Sequence, residues 1–185
     1  MEWTSPHAHV TSVNVSAVHS FSKEPVLEAR LLEGLGMEGD AHCGTTVRHR
    51  YDRRKNPDRP NLRQVHLIGT ELFDELAQHG HALRPGDLGE NLTTTGIDLL
   101  GLPVGAVLRL GDEAAVQLTG LRTPCSLIDS LQPGLMRRMW DVDEAGRRTR
   151  RAGVMAVVST GGTVRPGAPV SVVLPPGQHV ALPPV

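Results

Sequence analysis

The chain has 185 residues, a formal net charge of -1 with a pI near 6.8, and only 3% aromatic side chains. That length makes one domain able to bury roughly 70% of the surface its unfolded form exposes, with no need of staples. Near-neutrality and scarce aromatics argue against a general nucleic-acid or membrane-surface protein, so any charge-driven binding is expected to be local. No apolar run approaches the roughly 18 residues of a membrane span, and Met1-Glu2-Trp3-Thr4-Ser5-Pro6-His7 lacks a basic segment followed by an apolar one. The expected location is the cytoplasm, with no membrane contact.

The 20 glycines and 14 prolines are scattered and bracket short runs rich in Val, Leu and Thr, the pattern of short strands joined by turns. Strands are predicted at 9–19, where Val10, Val13, Val15 and Val18 recur, and at 26–33 and 63–68. A helix follows over Thr70 to Gly80, with Thr70 as cap, early acids, an apolar stripe at Leu72, Phe73, Leu76 and Ala77, and a terminal glycine. Further strands are predicted at 88–94, 105–110 and 114–121. A second helix is expected to start at Pro124 and stall before Pro133, and a third to cover Leu135 to Trp140, leading into the charged stretch 141–151. The last strands fall at 153–159 and 169–174, and Gly161-Gly162 suggests a hairpin turn. Eight short strands with few helices fit a mostly β fold, a closed or nearly closed barrel, better than an open parallel sheet. One domain is expected over residues 1–185, with its core at about 9–174 and a Pro-rich surface tail at 175–185.

Cys125 is the first candidate for chemistry. With Cys43 as the only other cysteine, the chain is no disulfide scaffold, and a lone thiol in a reducing compartment is filler or a reactive group. If Thr123 caps a helix and Pro124 takes its first position, Cys125 falls in the first turn, where unpaired N–H groups favour a thiolate, and Arg122 adds a cation. The alternative is a small buried hydrophobe. The segment from Pro85 to Leu99 carries three glycines with Asp87, Glu90, Asn91 and several threonines, either a lip for a polar ligand or a set of self-bonded turns. Gly34, Gly36 and Gly39 have the wrong spacing for a phosphate-cradling fingerprint, and the adjacent His42 and Cys43 do not suit a closed zinc site. Residues 48–63 hold seven basic side chains against two acidic ones, either a solvated loop or an anion attractor built on arginine forks. His66, alternating opposite Val65 and Leu67, is more often a satisfied structural residue than a catalytic one. RNA association through residues 48–63 is a weaker option, since Tyr51 is the sole aromatic there.

Three stretches together resemble the MOSC family, the C-terminal domain of molybdenum-cofactor sulfurases that also occurs as stand-alone bacterial proteins. They are Gly34 to His42, Arg63 to Ile68, and Pro85 to Leu99 followed by Leu118 to Cys125. The match through Gly86-Asp87-Leu88-Gly89-Glu90-Asn91 and Arg122-Thr123-Pro124-Cys125 is its specific part. The resemblance implies a β-rich, partly open barrel and a molybdenum cofactor with Cys125 as metal ligand or persulfide carrier. It makes Arg122, Asp87, Glu90 and Asn91, and with them His42 and His66, candidates for the cofactor pocket. It further implies a molybdenum-dependent oxidoreductase acting on small N-hydroxylated substrates and fed by a separate electron-donor protein, since the chain lacks a ferredoxin-like cysteine set. The alternative is a sulfur-carrier module without turnover of its own. Sulfurase activity is not expected, because no aminotransferase-like domain is present.

Overall fold

Alternation of inward apolar and outward polar side chains builds the sheet. A computed structural model describes residues 2–48, 56–142 and 144–185. In chain order the strands are β1 (Glu2–Val15), β2 (Glu24–Val26), β3 (Ala29–Leu32), β4 (Gly36–Met37) and β5 (Val65–Gly69). Helix α1 (Thr70–Gln78) precedes β6 (Leu92–Thr95), β7 (Val107–Leu110) and β8 (Ala114–Leu121). Two short helices, α2 (Leu127–Leu131) and α3 (Leu135–Arg138), lead to β9 (Trp140–Val142) and β10 (Arg148–Arg150). The chain then runs through β11 (Val154–Thr160), β12 (Gly162–Val164) and β13 (Pro169–Val173).

Seven strands close into a barrel in the order β13-β7-β8-β11-β5-β6-β1, sealed by antiparallel pairing of β1 with β13. Closure removes the free sheet edges. Only β5 and β6 pair in parallel within the barrel, which is possible because α1 and the turn after it carry the chain back across. Leu108 and Leu110 of β7, Val116 and Leu118 of β8, and Val170 and Val172 of β13 point into the core, while Arg109 and Gln117 face out. β12, β3 and β4 form a small second sheet. A second apolar cluster lies outside the barrel, where Ile68, Phe73, Leu76 and Leu88 meet Ile128, Leu135 and Met139. No helix among the described residues is long and apolar enough to cross a membrane.

Several expectations need correction. The run 26–33 is broken into β2 and β3, and the strand expected from 88 starts only at Leu92 because a glycine turn precedes it. Helix α1 starts at Thr70 itself, with Gly69 at the cap position and no side-chain cap. Gly161-Gly162 does not turn a hairpin: β12 leaves β11 and pairs with β3 instead. The antiparallel β9–β10 pair, in which Trp140 faces Arg150, starts one residue before the charged stretch 141–151 and runs into it. Of the two courses open to an extended surface tail, packing on the barrel or fraying, the tail takes the first, with Leu121 N–H donating to Pro183 O at 2.7 Å, Val104 N–H donating to Val180 O at 2.9 Å, and Leu182 buried.

Candidate functional site

β8 ends at Leu121, and the next backbone N–H, that of Arg122, donates to Gly153 O at 3.0 Å. This bond holds the exit of β8 against the start of β11, so that Thr123 and Cys125 are delivered onto the wall of a cavity of about 370 Å³. Of the residues singled out in the sequence, Cys125, Arg122, Asn91, His42 and His66 all line this cavity. Lys23 and Arg63 add two more cations to the lining. Cys125 is half-buried. α2 begins two residues beyond the thiol, so Cys125 precedes the helix instead of occupying its first turn, and its carbonyl accepts from Ile128 N–H at 3.1 Å.

Behind the wall, Asp40 organises three lining residues. Its Oδ2 accepts from Lys23 Nζ at 2.5 Å and from Asn91 Nδ2 at 3.0 Å, and its Oδ1 accepts from the backbone N–H of His42 at 2.9 Å and lies 3.1 Å from His42 Nδ1. The Lys23 and Asp40 side chains are 4% and 0% exposed, which makes this a buried ion pair held by extra hydrogen bonds. Burial alone would raise the Asp40 carboxyl, but the His42 hydrogen bond and the Lys23 charge outweigh it and hold it well below the usual carboxylate range. Burial lowers Lys23 from its ordinary value against the pull of Asp40. Asn91 does further work for the fold, since its Oδ1 accepts from His66 N–H at 3.1 Å and its carbonyl accepts from Asn14 N–H at 2.7 Å.

Glu90 and Arg122 form the second pair of interest. Burial pushes the Glu90 carboxyl up to about 7. Its Oε1 accepts from Gly86 N–H at 2.5 Å and from Thr93 Oγ1 at 3.1 Å, whereas Oε2 is buried without a partner among the described residues. Arg122 Nη1 is likewise buried and unpartnered among them, while the guanidinium carbon stands 5.7 Å from the Phe21 ring centroid. Such orphaned groups are uncommon in folded proteins and point to a missing ligand or water. Burial holds His66 well below its ordinary value, with the Arg122 charge acting the same way, so the ring is neutral; its Nε2 is 2.7 Å from Ala152 O and donates to it.

Two of the expected pocket residues do not reach the cavity. Asp87 Oδ2 accepts from Arg84 N–H at 2.8 Å and ties down its own turn, the local role that short acidic side chains often take. Glu90 lies beneath the wall and is absent from the lining. Of the basic stretch 48–63, residues 49–55 lie outside the described residues. Its base is closed by Val47 N–H donating to Arg59 O and Asn61 N–H donating to Thr45 O, and this closure delivers Arg63 to the cavity. Sequence reasoning missed Lys23, Asp40 and Asn61. Asn61 Nδ2 donates to His42 O at 2.9 Å and Gly44 O at 3.0 Å, fixing the loop that carries His42. The other thiol, Cys43, is free, and burial and then the Asp40 charge raise it above its ordinary value.

The class these features define is that of small closed β-barrels with a cavity lined by a thiol and several cations. Within that class, the MOSC domain profile matches residues 41–171, and the chain belongs to the MOSC domain family. Among solved structures it is similar to the YuaD protein of Bacillus subtilis, at 22% identity and a TM-score of 0.74, covering 93% of this chain and 97% of that one. It is also similar to YiiM from Geobacillus stearothermophilus, at 20% identity and a TM-score of 0.65, covering 94% and 79% of the two chains. YiiM from Escherichia coli matches at 22% identity and a TM-score of 0.62, covering 95% and 74%. Likeness at this level of identity establishes the fold. No curated protein matches the chain.

Proposed function

We propose that the cavity binds a pterin-held molybdenum centre with Cys125 as the protein ligand to the metal, and that the protein reduces N-hydroxylated small molecules in the cytoplasm. The observation that carries this reading is the meeting, on one cavity wall, of the Cys125 thiol and a guanidinium whose Nη1 is buried without a partner among the described residues. The residues fit the group. Sulfur is a soft ligand suited to such a metal, and Arg122, Lys23 and Arg63 supply charge-assisted donors for a phosphate. The cavity, about 370 Å³, falls within the roughly 300–1,000 Å³ of small-molecule sites.

When bound, the group supplies two-electron redox chemistry, whose net change breaks the N–O bond: the hydroxylamine takes up two electrons and two protons and yields the amine N–H and one water. Cys125 anchors it from the segment that Arg122 and Gly153 hold in place. Asp40 fixes Lys23, His42 and Asn91, so the polar lining is set before any ligand arrives. Glu90 holds a proton near neutrality, and that proton belongs on Oε2, because Oε1 already accepts two hydrogen bonds. With two cysteines and no iron–sulfur set in the sequence, the electrons come from another protein.

Cys125→Ala, produced in a host that makes the cofactor, is expected to stay folded by circular dichroism yet to lose both retained molybdenum, measured by elemental analysis, and reductase activity. Full molybdenum content in that variant contradicts the reading. The half-buried position of Cys125 ahead of α2 also favours a second role, sulfur transfer as a persulfide. In that case exposure to a cysteine desulfurase adds the mass of one sulfur atom at Cys125 while no molybdenum is retained.

A further inference from the structure

We propose that the β9–β10 pair, together with α3, is the docking surface for an acidic electron-donor protein, an inference that rests on the reductase reading above. The guanidinium of Arg148 lies 5.0 Å from the centroid of Trp140 and that of Arg150 lies 5.2 Å from it. One indole thus holds two cations on a two-stranded ribbon. Arg137, Arg138 and Arg147 stand close in sequence, against Asp141, Asp143 and Glu144. In a chain of net charge -1 this concentration of arginine is local. Arg151 is set apart from it, since both its terminal nitrogens are engaged by Glu75. Val142 and Leu127, each 55% exposed, add apolar surface beside the cations. Arginine and tryptophan with exposed apolar neighbours are the residue types that dominate protein interfaces.

The ribbon is laced to the cavity at both ends. On one side Trp140 packs with Met139, Leu135 and Ile128, and Ile128 N–H donates to the carbonyl of Cys125. On the other, Arg151 N–H donates to Met139 O at 2.9 Å, and Gly153, two residues on, accepts from Arg122. Leu127 belongs to both the exposed patch and the cavity lining. A donor seated here stands next to the segment that carries the thiol. The arginines steer its acidic face, and for a one-electron donor two reduced molecules dock in turn, each oxidised by one electron, for every N–OH reduced with two protons to N–H and water.

The test uses the molybdenum-loaded protein, a reduced acidic [2Fe–2S] ferredoxin as protein donor, and reduced methyl viologen as a small donor that needs no docking surface. The double variant Arg137→Glu with Arg148→Glu is expected to raise the KM for ferredoxin about tenfold at low ionic strength. The viologen-supported rate and the melting temperature should stay as in the parent protein. An unchanged ferredoxin KM overturns the proposal, as does preferential binding of an RNA oligonucleotide over ferredoxin. If viologen supports no turnover in the parent protein, the reductase reading fails; docking is then decided by calorimetric titration with ferredoxin. Binding abolished by the double variant upholds the acidic-protein surface, and binding that is absent or unaltered refutes it.

Discussion

Asp40 does more for the cavity than any residue that reaches it. Its two oxygens take Lys23, His42 and Asn91 at once, from three separate stretches of chain. Removing one partner of a buried pair leaves an uncompensated charge, typically at a loss of about 3–5 kcal/mol, whereas replacing both with apolar groups is often close to neutral. Asp40→Asn is therefore expected to lower the urea-unfolding free energy by that order, and the double variant Asp40→Leu with Lys23→Met to recover only part of the loss, because Asn91 Nδ2 and His42 N–H lose their acceptor. Additive losses in the double variant would show that the pair is uncoupled. In the sequence, Asp40 sits inside a glycine-rich stretch with nothing to assign it a task. The reason is physical: its partner Lys23 lies 17 residues upstream in a segment with no periodicity to mark it. Cys125 and Arg122 were legible because a thiol and an arginine adjoin at the end of a strand-like run, whereas Asp87, equally polar and beside a glycine, is spent on its own turn.

At the scale of elements, β8 is read from sequence with its boundaries intact, because the alternating run Ala114 to Leu121 ends at an Arg-Thr-Pro signal that cannot continue the ladder. The segment before β6 is harder. Gly86 and Gly89 have φ of +90° and +79°, and a Cβ on either would collide with the carbonyl of Lys23 or of Phe21. This close approach delays the strand to Leu92 and presses the Phe21–Lys23 segment into the cavity wall. Gly86→Ala is expected to destabilise the fold by about 2 kcal/mol or more, combining an unfavourable φ with backbone contact. Gly34→Ala has φ of +68° but open space around it, and should lose distinctly less. Equal shifts in the two denaturation midpoints would mean that the contact contributes nothing beyond φ. The β9–β10 ribbon escaped sequence reading because its polar, charged residues carry no inward-outward alternation.

For the whole molecule, a barrel is legible in eight short strands, but strand order is not, since pairing such as β1 with β13 joins opposite ends of the chain. The cavity has the same origin, drawing on residues near 20, 42, 62, 91 and 122 that only closure brings together. Two buried groups close to it set the response of the fold to pH in opposite senses. Glu90 has a folded value of about 7 against an ordinary 4.5. The folded state therefore binds the extra proton in that window, and stability falls as pH rises from 4.5 through about 7. His66 is held below its ordinary 6.5, chiefly by burial with Arg122 and Lys23 adding to it, so the unfolded state binds the extra proton and stability rises as pH climbs toward 6.5. The two slopes offset each other in the native protein. Glu90→Gln keeps the hydrogen-bonding shape while removing the ionisable carboxyl, and leaves the His66 slope exposed. Its urea-unfolding free energy, measured relative to the parent protein, should increase between pH 5 and pH 7 by on the order of 2 kcal/mol. Parallel profiles for the two proteins over that range would show that Glu90 titrates like an ordinary surface carboxylate, and that burial stores no proton on it.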